Sequence, residues 1–424
     1  MTDVTRHPIG INVDKCIGCT HCLTACPTRA IRVKGGKARI IDELCIDCGA
    51  CLRVCPYDAV ESQTTPIAAL DAFQYKIAIP TTVLYGQFED SVMPIEILAA
   101  LRRVGFDEVY DLSAVCELNT EATERYLKEN PRPRPLISAT CPVVVRLIQR
   151  RYPSLCSLIL PLEPPREVAA KILRTTLPGK LRLAPESIGL IHITPCPAKI
   201  VSINRPVSLR KSFLDGALSI RDIYAPLVRG LRQNRRDAFM RRLFPEILFS
   251  GIGMGWSLSG GETRGLKNRR TVSVSGVRDT MRVLDQVETG LLKDVDLLEC
   301  VVCPDGCVGG PLAVENRFLA KSRILRFVDA AGDRTVAHQP GLGRLYRRSA
   351  LAFDHAVKPA AVPPLDHDPE KAIVKANRRE AIFAKLPRKD CGACGAPDCR
   401  TLAEDVARGQ ARLTDCPFVR EVKK

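Results

Sequence analysis

No stretch of this 424-residue chain approaches the ~18 uninterrupted apolar residues that a membrane-spanning helix needs, so no membrane span is expected. The opening residues, Met1-Thr-Asp-Val-Thr-Arg-His-Pro8, hold no apolar core of the kind a secretory leader carries, and a cytoplasmic location is the expectation. Acidic residues are the minority sign: 47 Asp and Glu stand against 63 Lys and Arg, a formal net charge of +16. No motif that reads DNA or RNA accompanies this basic excess, so nucleic acid is not an expected partner. The apolar fraction, 46%, is ordinary for a globular chain, and the length allows two or three domains.

What the chain has in plenty is cysteine, 19 in all, clustered in tight Cys-x2-Cys sets. In a small secreted domain such a count points to disulfides; in a large chain without a leader it points to metal. Cys16-Ile-Gly-Cys19-Thr-His-Cys22-Leu-Thr-Ala-Cys26-Pro27 is followed by Cys45-Ile-Asp-Cys48-Gly-Ala-Cys51-Leu-Arg-Val-Cys55-Pro56. Both read Cys-x2-Cys-x2-Cys-x3-Cys-Pro, in which the fourth cysteine ligates the other cluster. Cys16, Cys19, Cys22 and Cys55 are thus expected to hold one [4Fe-4S] cubane, and Cys45, Cys48, Cys51 and Cys26 the second. Structural zinc is the competing reading, but zinc has no use for a paired Cys-Pro repeat. Pro27-Thr-Arg-Ala-Ile is answered by Pro56-Tyr-Asp-Ala-Val, an internal two-fold repeat of ferredoxin type over residues 1–65. His21 reads as a surface residue.

The far end carries another set, Cys391-Gly-Ala-Cys394-Gly-Ala-Pro-Asp-Cys399, then a helical run from Arg400 to about Gly409 and Cys416-Pro417. Glycines beside the thiolates let backbone N–H groups approach the sulfides, and the helix leads back to Cys416. Residues 380–420 resemble the small four-cysteine iron-sulfur domain of corrinoid iron-sulfur proteins and electron-transport complexes; zinc stays open as an alternative. A proline-rich stretch, residues 356–370, precedes it and reads as a semi-rigid tether; His355 just before it and His367 within it lack metal-ligand spacing.

Between them, residues 75–330 alternate short β-branched runs with amphipathic stretches, the pattern of an α/β unit with parallel sheets. Tyr75–Leu84, Glu108–Leu112, Pro135–Thr140, Ile188–Thr194 and Asp294–Val302 read as strands, and Pro94–Val104 as a helix ending at Gly105. Three strands end at cysteines: Thr140-Cys141-Pro142, Pro195-Cys196-Pro197-Ala-Lys199 and Cys303-Pro-Asp-Gly-Cys307-Val-Gly-Gly310. Ligands at the C-terminal ends of strands lie where such folds place their sites. Cys141, Cys196, Cys303 and Cys307 are the candidates for a third four-thiolate set, with buried structural thiols as the competing reading. Cys300, Cys116 and Cys156 read as packing cysteines.

These three segments, with Leu101–Asp111 and Ser259-Gly-Gly-Glu262 between them, resemble the large-subunit catalytic domain of [FeFe] hydrogenases, in that order and spacing. The resemblance implies a two-lobed fold in which the four central cysteines hold a cubane and Cys307 also bridges to a diiron subsite with CO and CN ligands. It further implies that Lys199 donates to a cyanide of that subsite. Hydrogen-evolving members carry a proton-donating cysteine just before the first ligand; here that position is Thr140. Ser202, Val301 and the short Gly309-Gly310-Pro311 tail depart from the same pattern. Cluster domains on both sides resemble the sensory branch of the family.

The reading is an iron-sulfur redox protein with four [4Fe-4S] clusters on sixteen cysteines, binding or slowly turning over H2 and relaying electrons. A non-catalytic electron-transfer or cluster-carrier protein without the diiron subsite is the alternative. Four oxidised clusters with their thiolates carry roughly −2 each, offsetting about half of the excess positive charge. Arg205–Arg242 holds ten Lys or Arg against three Asp, either a solvated helical face or a docking patch. The expected partner is an acidic electron-transfer protein such as a ferredoxin, or a signalling protein.

Overall fold

The structure, a computed structural model, describes residues 7–234, 250–332, 351–361 and 363–419. The last residues of the basic stretch 205–242 lie outside them. Two compact units form: one joins residues 1–63 with 360–424, the other runs from Thr64 to Pro359.

In the first unit, strand β1 (Ile9–Ile11) pairs antiparallel with β4 (Val60–Ser62), and β2 (Ile31–Lys34) with β3 (Lys37–Ile40). Gly35 and Gly36, at φ 56° and 71°, close that hairpin, because a two-residue turn matching strand twist needs positive φ at both positions. The two-fold repeat is visible in the backbone. Helix His21–Ala25 starts after left-handed Thr20 and ends on Cys26; helix Ala50–Val54 starts after left-handed Gly49 and ends on Cys55. The C-terminal part contributes helix Pro369–Lys385, capped by Asp368 on the N–H groups of Glu370 and Lys371. It also contributes helix Cys399–Ala407, capped by Asp398 on Thr401 N–H. Among the described residues from 356 to 368 there is neither helix nor strand. The helix expected from Arg400 begins one residue earlier, at Cys399.

The second unit contains two parallel sheets. One has the order β6-β5-β8-β9, built from β5 (Tyr75–Pro80), β6 (Glu108–Val109), β8 (Ile188–Thr194) and β9 (Gly216–Ser219). The other has the order β10-β11-β7, from β7 (Leu136–Ile137), β10 (Thr271–Ser275) and β11 (Leu297–Val301). The seven residues of β8 are all buried, as an apolar run inside a parallel sheet requires. Several strands are shorter than their apolar runs. The Tyr75 run stops at Pro80, where the chain turns into a 3-10 segment over Thr82–Gln87, and β6 and β7 keep only two paired residues each at sheet edges.

Helix Pro94–Val104 ends at Gly105 (φ 118°) as expected, and packs Ile97, Leu98 and Leu101 onto the core shared with Ile223 and Leu227 of helix Ile220–Asn234. Helix Arg317–Ala331 approaches so closely that a Cβ at Gly86 would stand 2.6 Å from the Ala320 carbonyl oxygen. No helix among the described residues is long and apolar enough to cross a membrane.

Candidate metal centre

The first unit brings its N-terminal cysteines together in two interleaved sets. Burial, and then the neighbouring Cys16, Cys19 and Cys55, pushes the Cys22 thiol up to about 11. Cys51 is buried likewise, with Cys45, Cys26 and Cys22 as the sulfurs acting on it, in that order of influence. The fourth cysteine of each run therefore stands with the other run. Backbone amides point at the sulfurs: Ala38 N–H to Cys16 (3.4 Å), Ala30 N–H to Cys26 (3.2 Å), Asp47 N–H to Cys45 (3.4 Å) and Ala59 N–H to Cys55 (3.3 Å). Such donors favour thiolates, and the residues fit iron-sulfur clusters. One neighbour escaped the sequence reading: His7 donates through Nδ1 to the fully buried Asp47 (2.9 Å), between two ligands.

At the C-terminal end, Cys394 is half-buried beside Cys416 and Cys391, and shares an apolar cluster with Cys399 and Cys416. Asp390 accepts the Cys399 N–H at 2.8 Å, fixing the loop.

The central set is assembled from both sheets. Cys196 follows β8 and Cys141 follows β7; each is the residue before a helix whose first position is proline, over Pro197–Asn204 and Pro142–Arg151. Amides of Val302, Val144 and Val143 face the Cys141 sulfur and oppose the upward pull of burial. Cys196, pushed up to about 11 by burial, has Lys199, Cys141 and Cys307 as neighbours, in that order of influence. Cys303 and Cys307 follow β11, with Gly306 (φ 96°) between them donating to the Cys303 carbonyl at 3.2 Å. A Cβ on Gly306 would meet Ser259 N at 2.5 Å, so the turn admits only glycine.

Lys199 is no surface lysine. It is 8% exposed, and its Nζ lies 3.9 Å from Cys307 Sγ. Both line a cavity of about 50 Å³, walled also by Thr140, His192, Glu262 and Cys116. Burial, then the positive charges of Lys199 and Arg166, hold His192 well below the ordinary histidine range, so the ring is neutral. Its Nδ1 donates to Ile79 O at 2.8 Å, and Nε2 is buried without a partner among the described residues.

Two buried carboxyls stand behind Thr140. Glu262 accepts from Ser138 Oγ (2.6 Å) and from the Thr140 hydroxyl; burial first, then the Glu299 charge, raises it to about 8. Glu299 accepts four donors, from Gly260 N, Thr263 N, Thr263 Oγ1 and Ser273 Oγ, which oppose the upward pull that burial exerts on its carboxyl. Neither carboxyl, nor His192, stood out as a site residue in sequence, although Glu262 sits in the quoted Ser259-Gly-Gly-Glu262 segment. Cys300, 1% exposed in β11, has Cys141 as a neighbour, while Cys156 has no sulfur among the groups acting on it. His21 is exposed.

Fold and sites together define an iron-sulfur protein whose central four-cysteine set is contributed by both sheets of one α/β unit. Residues 73–229 and 258–311 match the family described as iron only hydrogenase large subunit, C-terminal domain. Residues 8–56 match the 4Fe-4S dicluster domain, and residues 386–418 match an Fe-S cluster family. The chain belongs to the iron-only hydrogenase large-subunit family through its central domain, with a dicluster ferredoxin domain before it and an Fe-S domain after it. It is 23% identical over 262 residues to iron hydrogenase 1 of Clostridium pasteurianum, covering 51% of this chain and 44% of that protein, less than half of the relative's length. It is 25% identical over 364 residues to the periplasmic [Fe] hydrogenase large subunit of Nitratidesulfovibrio vulgaris, covering 72% of this chain and 86% of the relative. A variant of [FeFe]-hydrogenase HydA1 from Chlamydomonas reinhardtii shares the fold at TM-score 0.50 and 15% identity, over 70% of this chain and 98% of the other.

Proposed function

We propose that this chain is an [FeFe]-hydrogenase-type redox protein that binds H2, or turns it over slowly, in a sensory or low-turnover role. Four [4Fe-4S] clusters occupy the sixteen cysteines, and a diiron subsite with CO and CN ligands attaches at Cys307. The observation that carries this reading is the buried Lys199 ammonium, 3.9 Å from Cys307 Sγ on the wall of the cavity that both line. A buried cation facing one sulfur of a cluster suits an anionic group hung from that sulfur.

When bound, the diiron group supplies the open coordination position at which H2 is split heterolytically. The chain's own residues handle the proton. A thiol with a pKa of ~8.5 exchanges protons near neutral pH, whereas the Thr140 hydroxyl only relays them. Glu262, hydrogen-bonded to Thr140 and raised to about 8, is the group that holds a proton there at neutral pH. A relay through a hydroxyl to a buried acid fits slow turnover. The electron partner is an acidic ferredoxin-like or signalling protein, in a cytoplasmic setting.

The test is infrared spectroscopy of protein co-expressed with diiron maturation enzymes. CO and CN stretching bands are expected. Their absence in protein that carries its full cubane iron would overturn the hydrogenase reading and leave a cluster carrier.

A further inference from the structure

The N-terminal and C-terminal cysteine sets lie at opposite ends of the sequence, yet they fold into one unit, and the contact between them falls on cluster-binding loops. Arg32 of β2 donates Nε (2.5 Å) and Nη2 (3.0 Å) to both oxygens of Asp405, in helix Cys399–Ala407, with both side chains under a tenth exposed. Arg29 pairs with Asp398, the residue before Cys399, at 2.6 Å. Val33 N–H donates to Gly395 O at 2.9 Å, and Lys34 donates to the Gln410 carbonyl. Gly395, next to Cys394, has φ 78°, and a Cβ there would stand 1.8 Å from Val33 O. Gly392, next to Cys391, faces Leu23, and a Cβ there would stand 3.2 Å from its side chain.

The segment receiving these contacts, Leu23–Lys34, follows directly on Cys22 and contains Cys26, one ligand from each ferredoxin set. A tether joining independent domains needs neither a buried bidentate ion pair nor a glycine, Gly395, seated against the backbone of Val33. We infer that the C-terminal four-cysteine site is the third member of a three-cluster relay, exchanging electrons directly with the N-terminal pair. This rests on the reading that these sites hold [4Fe-4S] clusters. The step is the transfer of one electron from a reduced (1+) cubane to an oxidised (2+) one, with a low-potential one-electron donor supplying the first electron.

The experiment is electron paramagnetic resonance of the full chain reduced with dithionite, beside three variants. In Cys394→Ser, iron is expected to fall by about four per chain, one cubane. Unchanged iron would overturn the cluster reading of that site, separately from the relay. In Gly395→Val, which keeps every ligand and crowds Val33, the C-terminal cluster's signal should saturate at several-fold lower microwave power than in the parent, through loss of relaxation by neighbouring spins. Asp405→Asn, isosteric and still helical, guards against a folding failure of the first packing variant and should shift saturation the same way. Equal saturation in the parent and in both packing variants, at full iron content, would overturn the relay.

Discussion

Gly310 backs onto Pro195 so tightly that a Cβ at position 310 would stand 2.7 Å from the Pro195 carbonyl oxygen. The same carbonyl accepts Leu312 N–H at 2.9 Å. Pro195 lies between β8 and Cys196, and Gly310 follows Cys307 beyond β11, so this contact joins the ligand-bearing segments that leave the two sheets. Gly310→Ala is expected to cost about 1–3 kcal/mol through overpacking and to spread the central cysteines. Iron content should drop by about four per chain, one cubane, while the ferredoxin signals persist. Retention of all iron with an unchanged melting temperature would contradict this.

Lys199→Met keeps the length of the side chain and removes its charge from beside Cys307. The four cysteines are untouched, so cubane iron should stay constant. Loading of the diiron group, or H2 turnover by it, should fall about 10- to 100-fold, as for other partners one step removed from a metal ligand. Infrared band intensity per chain measures the first and gas chromatography the second.

Glu262 gives a pH signature. Its folded value, about 8, lies above the ordinary carboxyl value of 4.5. Between these two pH values the unfolded chain has released a proton that the folded chain keeps, so stability falls as pH rises. The slope is at most about 1.4 kcal/mol per pH unit for one group, and it ends above the folded value. Glu262→Gln removes that slope. Denaturant titrations at several pH values should show the parent losing stability across this window relative to the variant, and parallel profiles would count against a proton held by Glu262.

Thr140→Cys places a thiol where the relay now begins. If the missing proton donor limits turnover, H2 production by the matured protein should rise on the order of a hundredfold. An assembled diiron site with unchanged turnover would place the limit elsewhere.

The cysteines were legible because ligand spacing is local: Cys-x2-Cys-x2-Cys-x3-Cys-Pro states its own geometry within a dozen residues. The strand-end positions of Cys141, Cys196 and Cys303 could be read from apolar runs stopping at Cys or Cys-Pro, and β8 ends at Thr194 as its run predicts. What escaped is set by contacts between distant parts of the chain. Ser138 and Glu262 are 124 residues apart, so nothing near either one announces a buried acid beside Thr140. His192 sits in an apolar strand and looks like packing until its unpartnered Nε2 is seen on the cavity wall. Lys199 could not be told from a surface lysine by composition; burial decides it.

The Arg32–Asp405 pair also bears on biosynthesis. The two residues are 373 positions apart, and at ~5–20 residues per second the ribosome needs roughly 20–75 s to pass from one to the other. Throughout that interval the nascent ferredoxin segment presents a guanidinium and a strand face meant for residues not yet made. The eight N-terminal cysteines can receive iron early, but the Arg32–Asp405 pair closes only once Asp405 has emerged. Metal loading at the N-terminus is thus exposed to a kinetic window that the order of translation itself creates.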